Sequence, residues 1–95
     1  MDRNGYPEEH ELNKITTWTF QEDFIALMRY IQSIWRWEDY FEVKRGGWFY
    51  LHTGGWSGNE DIIHAMEENA IFWIMCWQES RRGGHYKFRV KRIKK

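Results

Sequence analysis

Residues Gly54 to Tyr86 read GGWSGNEDIIHAMEENAIFWIMCWQESRRGGHY: a glycine loop, a long apolar-periodic run, a second glycine loop and the opening of an alternating segment. Ser57 and Glu60 have capping-box spacing, in which the serine oxygen and the glutamate carboxylate each satisfy a free N–H at a helix start. Ile62, Ile63, Met66, Ala70, Trp73, Ile74 and Trp77 follow at intervals of three and four, which predicts one helix with that face in the core. From Ala70 to Trp77 the apolar character runs round the circumference, because Ile71, Phe72, Met75 and Cys76 fill the other sides. Such a segment needs cover on more than one side, and a part left bare is a natural surface for a homodimer. Gly83 and Gly84 are read as the stop, since glycine takes the left-handed C-cap conformation without a Cβ clash.

Upstream, residues 40–53 alternate instead, around Lys44-Arg45-Gly46-Gly47, a hairpin signature. A two-residue Gly46-Gly47 turn scatters the apolar side chains over both faces. A three-residue loop, Arg45 to Gly47, pairs Val43 with Phe49 and Phe41 with Leu51 and gathers one apolar face, so burial selects the second register. Tyr40, Glu42, Lys44, Trp48, Tyr50 and His52 then share the opposite face. Before the hairpin, Thr19 and Glu22 repeat the capping-box spacing, and Phe20, Phe24, Leu27, Met28, Ile31, Ile34 and Trp35 predict a helix from about Phe20 to Arg36. Residues 1–14 hold the one proline, acids and no apolar period, and read as a flexible N-terminal arm before a single domain over 15–95. His85 to Val90 alternates, with Tyr86, Phe88 and Val90 inward and His85, Lys87 and Arg89 outward, as a third strand. Lys91 to Lys95 reads as a basic tail in solvent. The order helix, strand, strand, helix, strand predicts an α+β two-layer domain, a small three-stranded antiparallel sheet covered on one face by two helices. No internal repeat or linker is read.

Ninety-five residues make one domain with a thin core, in which seven tryptophans must supply much of the buried area. A single cysteine cannot form an internal disulfide, and no apolar stretch reaches the roughly 20 residues needed to cross a bilayer, so a soluble, cytoplasmic protein without a membrane partner is expected. The net charge of zero conceals an asymmetry: residues 1–80 hold all 14 acids with 6 bases, and residues 81–95 hold the other 8 bases, among them Arg81, Arg82, Lys87 and Arg89. Such a basic segment fits either a polyanion or the chain's own acidic body.

With GGWSGNE at 54–60 and RGGHY at 82–86 placed, the chain resembles a group of short, uncharacterised bacteriophage proteins over about residues 40–90, through the two glycine motifs and the tryptophan-rich helix between them. The resemblance implies expression in an infected bacterial cell and, by analogy with small phage proteins, inhibition or regulation of a host protein, host defence included. It implies no catalytic residue.

Two places could carry chemistry. The outward sheet face mixes rings with cations at Lys44, Trp48, Tyr50, His52, His85, Lys87 and Arg89, a pattern that serves a protein partner or, by stacking bases and neutralising phosphates, a nucleic acid or nucleotide. Gly54 to Asn59, with Trp56 and Ser57, offers backbone N–H groups at a helix start, where an anion is favoured. The same glycines also serve simply to turn a strand into a helix with Trp56 as a lid. On a single long helix, Arg81, Arg82 and His85 stand roughly 30 Å from Ser57, beyond one small ligand. His52, His64, His85 and Cys76 lack the short paired spacings of a structural zinc site, so no metal is expected. Cys76 lies in an apolar setting unfit for a nucleophile, and Glu67 and Glu68 point in different directions. No catalytic constellation and no cofactor is therefore read. The leading expectation is a non-enzymatic protein that binds a host protein, against nucleic-acid or nucleotide binding.

Overall fold

The computed structural model describes residues 1–91; Arg92, Lys94 and Lys95 of the expected basic tail lie outside the described residues. Among the described residues four α-helices and four strands follow in the order α1 (Glu9–Thr16), α2 (Phe24–Ile34), β1 (Phe41–Lys44), β2 (Trp48–His52), α3 (Ser57–Glu68), α4 (Ala70–Cys76), β3 (Trp77–Arg81) and β4 (His85–Arg89). The strands form one antiparallel sheet in the order β1-β2-β4-β3. Phe41, Phe49, Leu51, Phe88 and Val90 turn inward to meet Ile15, Leu27, Met28, Ile31, Ile62, Ile63, Met66 and Phe72, so the core lies between the sheet and the helices. The α+β antiparallel architecture is as expected, with four strands in place of three.

The first hairpin has the register chosen for its apolar face: Val43 opposite Phe49 and Phe41 opposite Leu51, around Arg45, Gly46 and Gly47. The helical expectations need correction at their ends. Residues 1–14 are not loose throughout, because α1 begins at Glu9 and Ile15 on it is fully buried. The expected Phe20–Arg36 helix breaks at Asp23, whose φ is 66° and whose carboxylate accepts the Ile25 N–H at 2.9 Å, so Asp23 caps α2. Thr19 and Glu22 do form the capping contact, on a short 3₁₀ turn ahead of it. Ser57 does not cap α3, which starts at that residue with Trp56 before it.

The expected single helix from Ser57 to the glycines is two short helices and a strand. At Asn69 (φ −83°, ψ 86°) the chain leaves the helix, and the Asn69 carbonyl oxygen of the side chain accepts the Phe72 N–H to start α4. That break moves the inward face by one residue: Ile62, Ile63 and Met66 are buried as expected, but Phe72 and Cys76 follow them, while Ile74 is 81% exposed. Trp73 is half-buried against Trp77 and Phe88. Gly83 and Gly84 therefore do not stop a helix. They turn a second hairpin, Arg81 opposite His85, across a three-residue Arg-Gly-Gly loop.

The two hairpins are copies. Glu42, Lys44, Arg45, Gly46, Gly47, Phe49, Leu51 and Thr53 correspond to Glu79, Arg81, Arg82, Gly83, Gly84, Tyr86, Phe88 and Val90 at a constant offset of 37 residues (83 minus 46). Each is preceded by a pair of helices, and the two pack through β2 and β4 so that equivalent residues Tyr50 and Lys87 face each other at the centre. The ladder closes symmetrically, with the Thr53 N–H donating to the Gly84 carbonyl at 2.9 Å and the Val90 N–H donating to the Gly47 carbonyl at 2.8 Å. A side chain at Gly47 would run into the Val90 carbonyl, and one at Gly84 into the Thr53 hydroxyl. This internal repeat was not expected from the sequence.

Candidate binding face

Alternation along four paired strands sends every second side chain outward. The rows so formed are Lys44-Trp48-Arg89, Glu42-Tyr50-Lys87-Glu79 and His52-His85-Arg81. None of these side chains is buried, and among the described residues no helix covers them. The expected outward residues Lys44, Trp48, Tyr50, His52, His85, Lys87 and Arg89 are thus brought together, and Arg81, expected on a helix, joins them from β3.

Each of the two acids on this face holds cations. Glu42 holds Lys44 at 3.1 Å, and its copy Glu79 holds Arg81 at 2.9 Å and Lys87 at 3.6 Å. Lys87 and Lys44 also lie over the Tyr50 ring, at 5.0 and 5.8 Å, and the Arg89 guanidinium lies 5.5 Å from the Trp48 ring. Glu42 takes a further hydrogen bond from His52, Nε2 to Oε2 at 2.6 Å, and that bond with the Lys44 contact holds its carboxyl below the usual carboxylate range. On its other side His52 meets His85, Nδ1 to Nδ1 at 2.8 Å. Tyr50, His52, His85, Arg81, Lys87 and Glu79 frame a shallow pocket of about 240 Å³ with Tyr86.

The two glycine loops, expected on opposite ends of a long helix, are neighbours, because β4 runs back along β2 and puts Gly84 on Thr53. The loop after β2 is fastened internally. Thr53 and Asn59 are fully buried; Asn59 accepts the Arg36 N–H at 3.0 Å and donates to the Arg36 carbonyl at 3.2 Å. Trp56 folds over Gly58 and lies 4.8 Å from the Tyr6 ring and 4.7 Å from the Arg36 guanidinium, while the Ser57 hydroxyl donates to the Tyr6 hydroxyl at 3.2 Å. Trp56 is the lid that the turn reading describes. Arg82, in the second hairpin turn, is exposed.

Sequence reasoning missed the aromatic run beside the sheet. Trp37, at φ 68° and 44% exposed, pairs with Tyr40 at 5.4 Å and Trp56 at 6.2 Å, and Tyr40 reaches His52 at 6.4 Å. Gly54 marks it, since a Cβ there would strike both Trp37 and Tyr40. Away from this face, Ile71, Ile74 and Met75 on α4 and Trp77 on β3 are exposed apolar residues, although Ile74 and Trp77 were expected in the core. Cys76 is buried, and desolvation pushes its thiol up to about 11, so it is an inert filler. Among the described residues no helix is long and apolar enough to cross a membrane, and no three His, Cys, Asp or Glu side chains gather to hold a metal.

The fold and face define an α+β domain with an open, ring-and-charge sheet surface. Comparison with protein-family models, with curated proteins and with solved structures finds no match.

Proposed function

We propose that the chain is a non-enzymatic binding protein that docks a host protein, in the cytoplasm of an infected bacterium, through the outward face of its sheet, and so inhibits or regulates it. The observation that carries this reading is the composition of an entire uncovered sheet face. Half-exposed Trp48 and Tyr50 stand beside Lys44, Arg81 and Lys87, which Glu42 and Glu79 hold. Aromatic rings and arginine are what protein interfaces favour over the rest of a surface. The ring faces of Trp48 and Tyr50 carry the chain's own Arg89 and Lys87, which a stacking base would have to displace. The phage setting and a host-defence target rest on the resemblance alone.

The test is capture from bacterial lysate with the tagged chain and with Trp48→Ala and Tyr50→Ala. A stoichiometric host protein retained by the parent and lost by both variants is expected; its absence removes the basis of the reading.

Nucleic-acid or nucleotide binding is the second reading, supported by the excess of Lys44, Arg81, Lys87 and Arg89 over Glu42 and Glu79 on the same face. A gel-shift titration with single-stranded DNA, RNA and duplex separates the two. Affinity that falls steeply with salt belongs to a polyanion site, whereas no shift at micromolar protein belongs to a protein partner. The exposed apolar residues Ile71, Ile74, Met75 and Trp77 are assigned to a second copy of the chain, which sedimentation of the parent against Ile74→Glu tests.

A further inference from the structure

We propose that His52 and His85 form a cross-strand site for a divalent transition metal of tetragonal preference, copper(II) before nickel(II). The inference goes beyond the docking role and does not depend on it. Residues 52 and 85 are direct partners on the two central strands, so their side chains leave the sheet side by side. Their Nδ1 atoms face each other at 2.8 Å. Two imidazole nitrogens each about 2.0–2.1 Å from one ion stand about 2.9 Å apart when they meet it at a right angle, and about 3.4 Å at a tetrahedral one. The 2.8 Å separation is that of a hydrogen bond between the rings and lies near the right-angle value, so an ion can replace the shared proton once the rings turn to aim both lone pairs at it; a right angle is the geometry of copper(II) and nickel(II) with nitrogen and oxygen ligands.

The surroundings prepare the pair. Glu42 accepts from His52 Nε2 at 2.6 Å, which places the ring proton there and leaves Nδ1, on the side of His85, free to accept a proton or an ion. A carboxylate behind a histidine is the second-sphere arrangement that orients ligating imidazoles and raises their basicity. His85 gives up its Nδ1 proton and takes one from solvent at Nε2, so both ligands remain neutral. The neighbouring cations do not oppose the ion unscreened, since Lys44 is held by Glu42 and Arg81 by Glu79. His85 is exposed and the His52 side chain 28% exposed, so an ion enters from solvent and water completes its shell.

Copper(II) chloride titrated into the full chain at about pH 7.5, where ordinary histidines are neutral, is followed by equilibrium dialysis and electron paramagnetic resonance. The expected result is a single micromolar site whose spectrum carries two imidazole nitrogens. His52→Ala and His85→Ala each weaken it at least tenfold, and Glu42→Gln weakens it by roughly 10-fold to 100-fold while leaving the stoichiometry intact. His10→Ala and His64→Ala leave it unchanged. Thermal melts of the metal-free variants establish that they are folded, and the two-nitrogen spectrum of the parent is an independent readout if one is not. No saturable copper binding, a spectrum with fewer than two nitrogens, or copper held by His52→Ala and His85→Ala as tightly as by the parent overturns the proposal.

Discussion

Asn69 is the residue on which most separate constraints meet. Its side-chain N–H₂ donates to the Ile15 and Trp18 carbonyls, both at 2.9 Å, and its oxygen accepts the Phe72 N–H at 3.2 Å. It therefore ties the end of α1 to the start of α4 from a buried position. Asn69→Ala would strand two carbonyls and one N–H, and we expect a loss of roughly 2–4 kcal/mol in urea unfolding. Cys76 gives a second prediction. Burial raises its thiol from 9.0 to about 11, so the folded chain keeps the proton where the unfolded chain loses it. The contribution is present below the unfolded value and is lost as pH rises from about 9 towards 11. A thiol reagent at pH 8 should leave the native chain unmodified and label it once urea unfolds it; rapid native labelling would show Cys76 to be accessible. The inertness of Cys76 was legible from its apolar setting, but the role of Asn69 was not: asparagine in an apolar-periodic run looks like an ordinary helical position until its partners, 54 and 51 residues away, are known.

At the scale of elements the hairpins carry the argument. Gly47 and Gly84 hold equivalent positions at φ 80° and 81°, each with the opposite hairpin's backbone or hydroxyl against its Cα. Gly55 has φ 74° and open space around it. Ala at Gly47 or Gly84 should therefore cost clearly more than Ala at Gly55, whose penalty is the left-handed strain alone, about 1–2 kcal/mol. Equal losses at all three in denaturant melts would mean that the close approach between hairpins is not under constraint. The first hairpin was readable because one register alone collects its apolar residues, and a slip of one residue exposes them. The second was hidden. Trp77 to Arg81 carries little alternation, and β3 is an edge strand with a register irregularity between Trp77 and Glu79, so burial imposes no clear period on it. The repeated Arg-Gly-Gly and the flanking acid and base were the signal available for it.

For the whole molecule, the division of labour between the two sheet faces predicts opposite outcomes for two large rings. Phe72 is fully buried against Phe24 and Phe88, and Phe72→Ala should cost roughly 3–5 kcal/mol. Trp48→Ala should melt near the parent while losing the captured partner. Equal destabilisation of the two would place Trp48 in the core and remove the docking face. Trp73, placed on the core face by the helical period, is only half-buried, and its loss should fall between them.

From periodicity alone came the α+β class, the first hairpin with its register, the outward residues of β2 and β4, and the inward residues of α2, because each of those patterns is fixed by neighbours within a few positions. The breaks at Asp23 and Asn69, the second hairpin, the meeting of the two glycine loops and the contact of His52 with His85 were decided by the tertiary fold. They depend on hydrogen bonds and packing between segments far apart in the chain, whose free energy overrides what each short stretch prefers by itself.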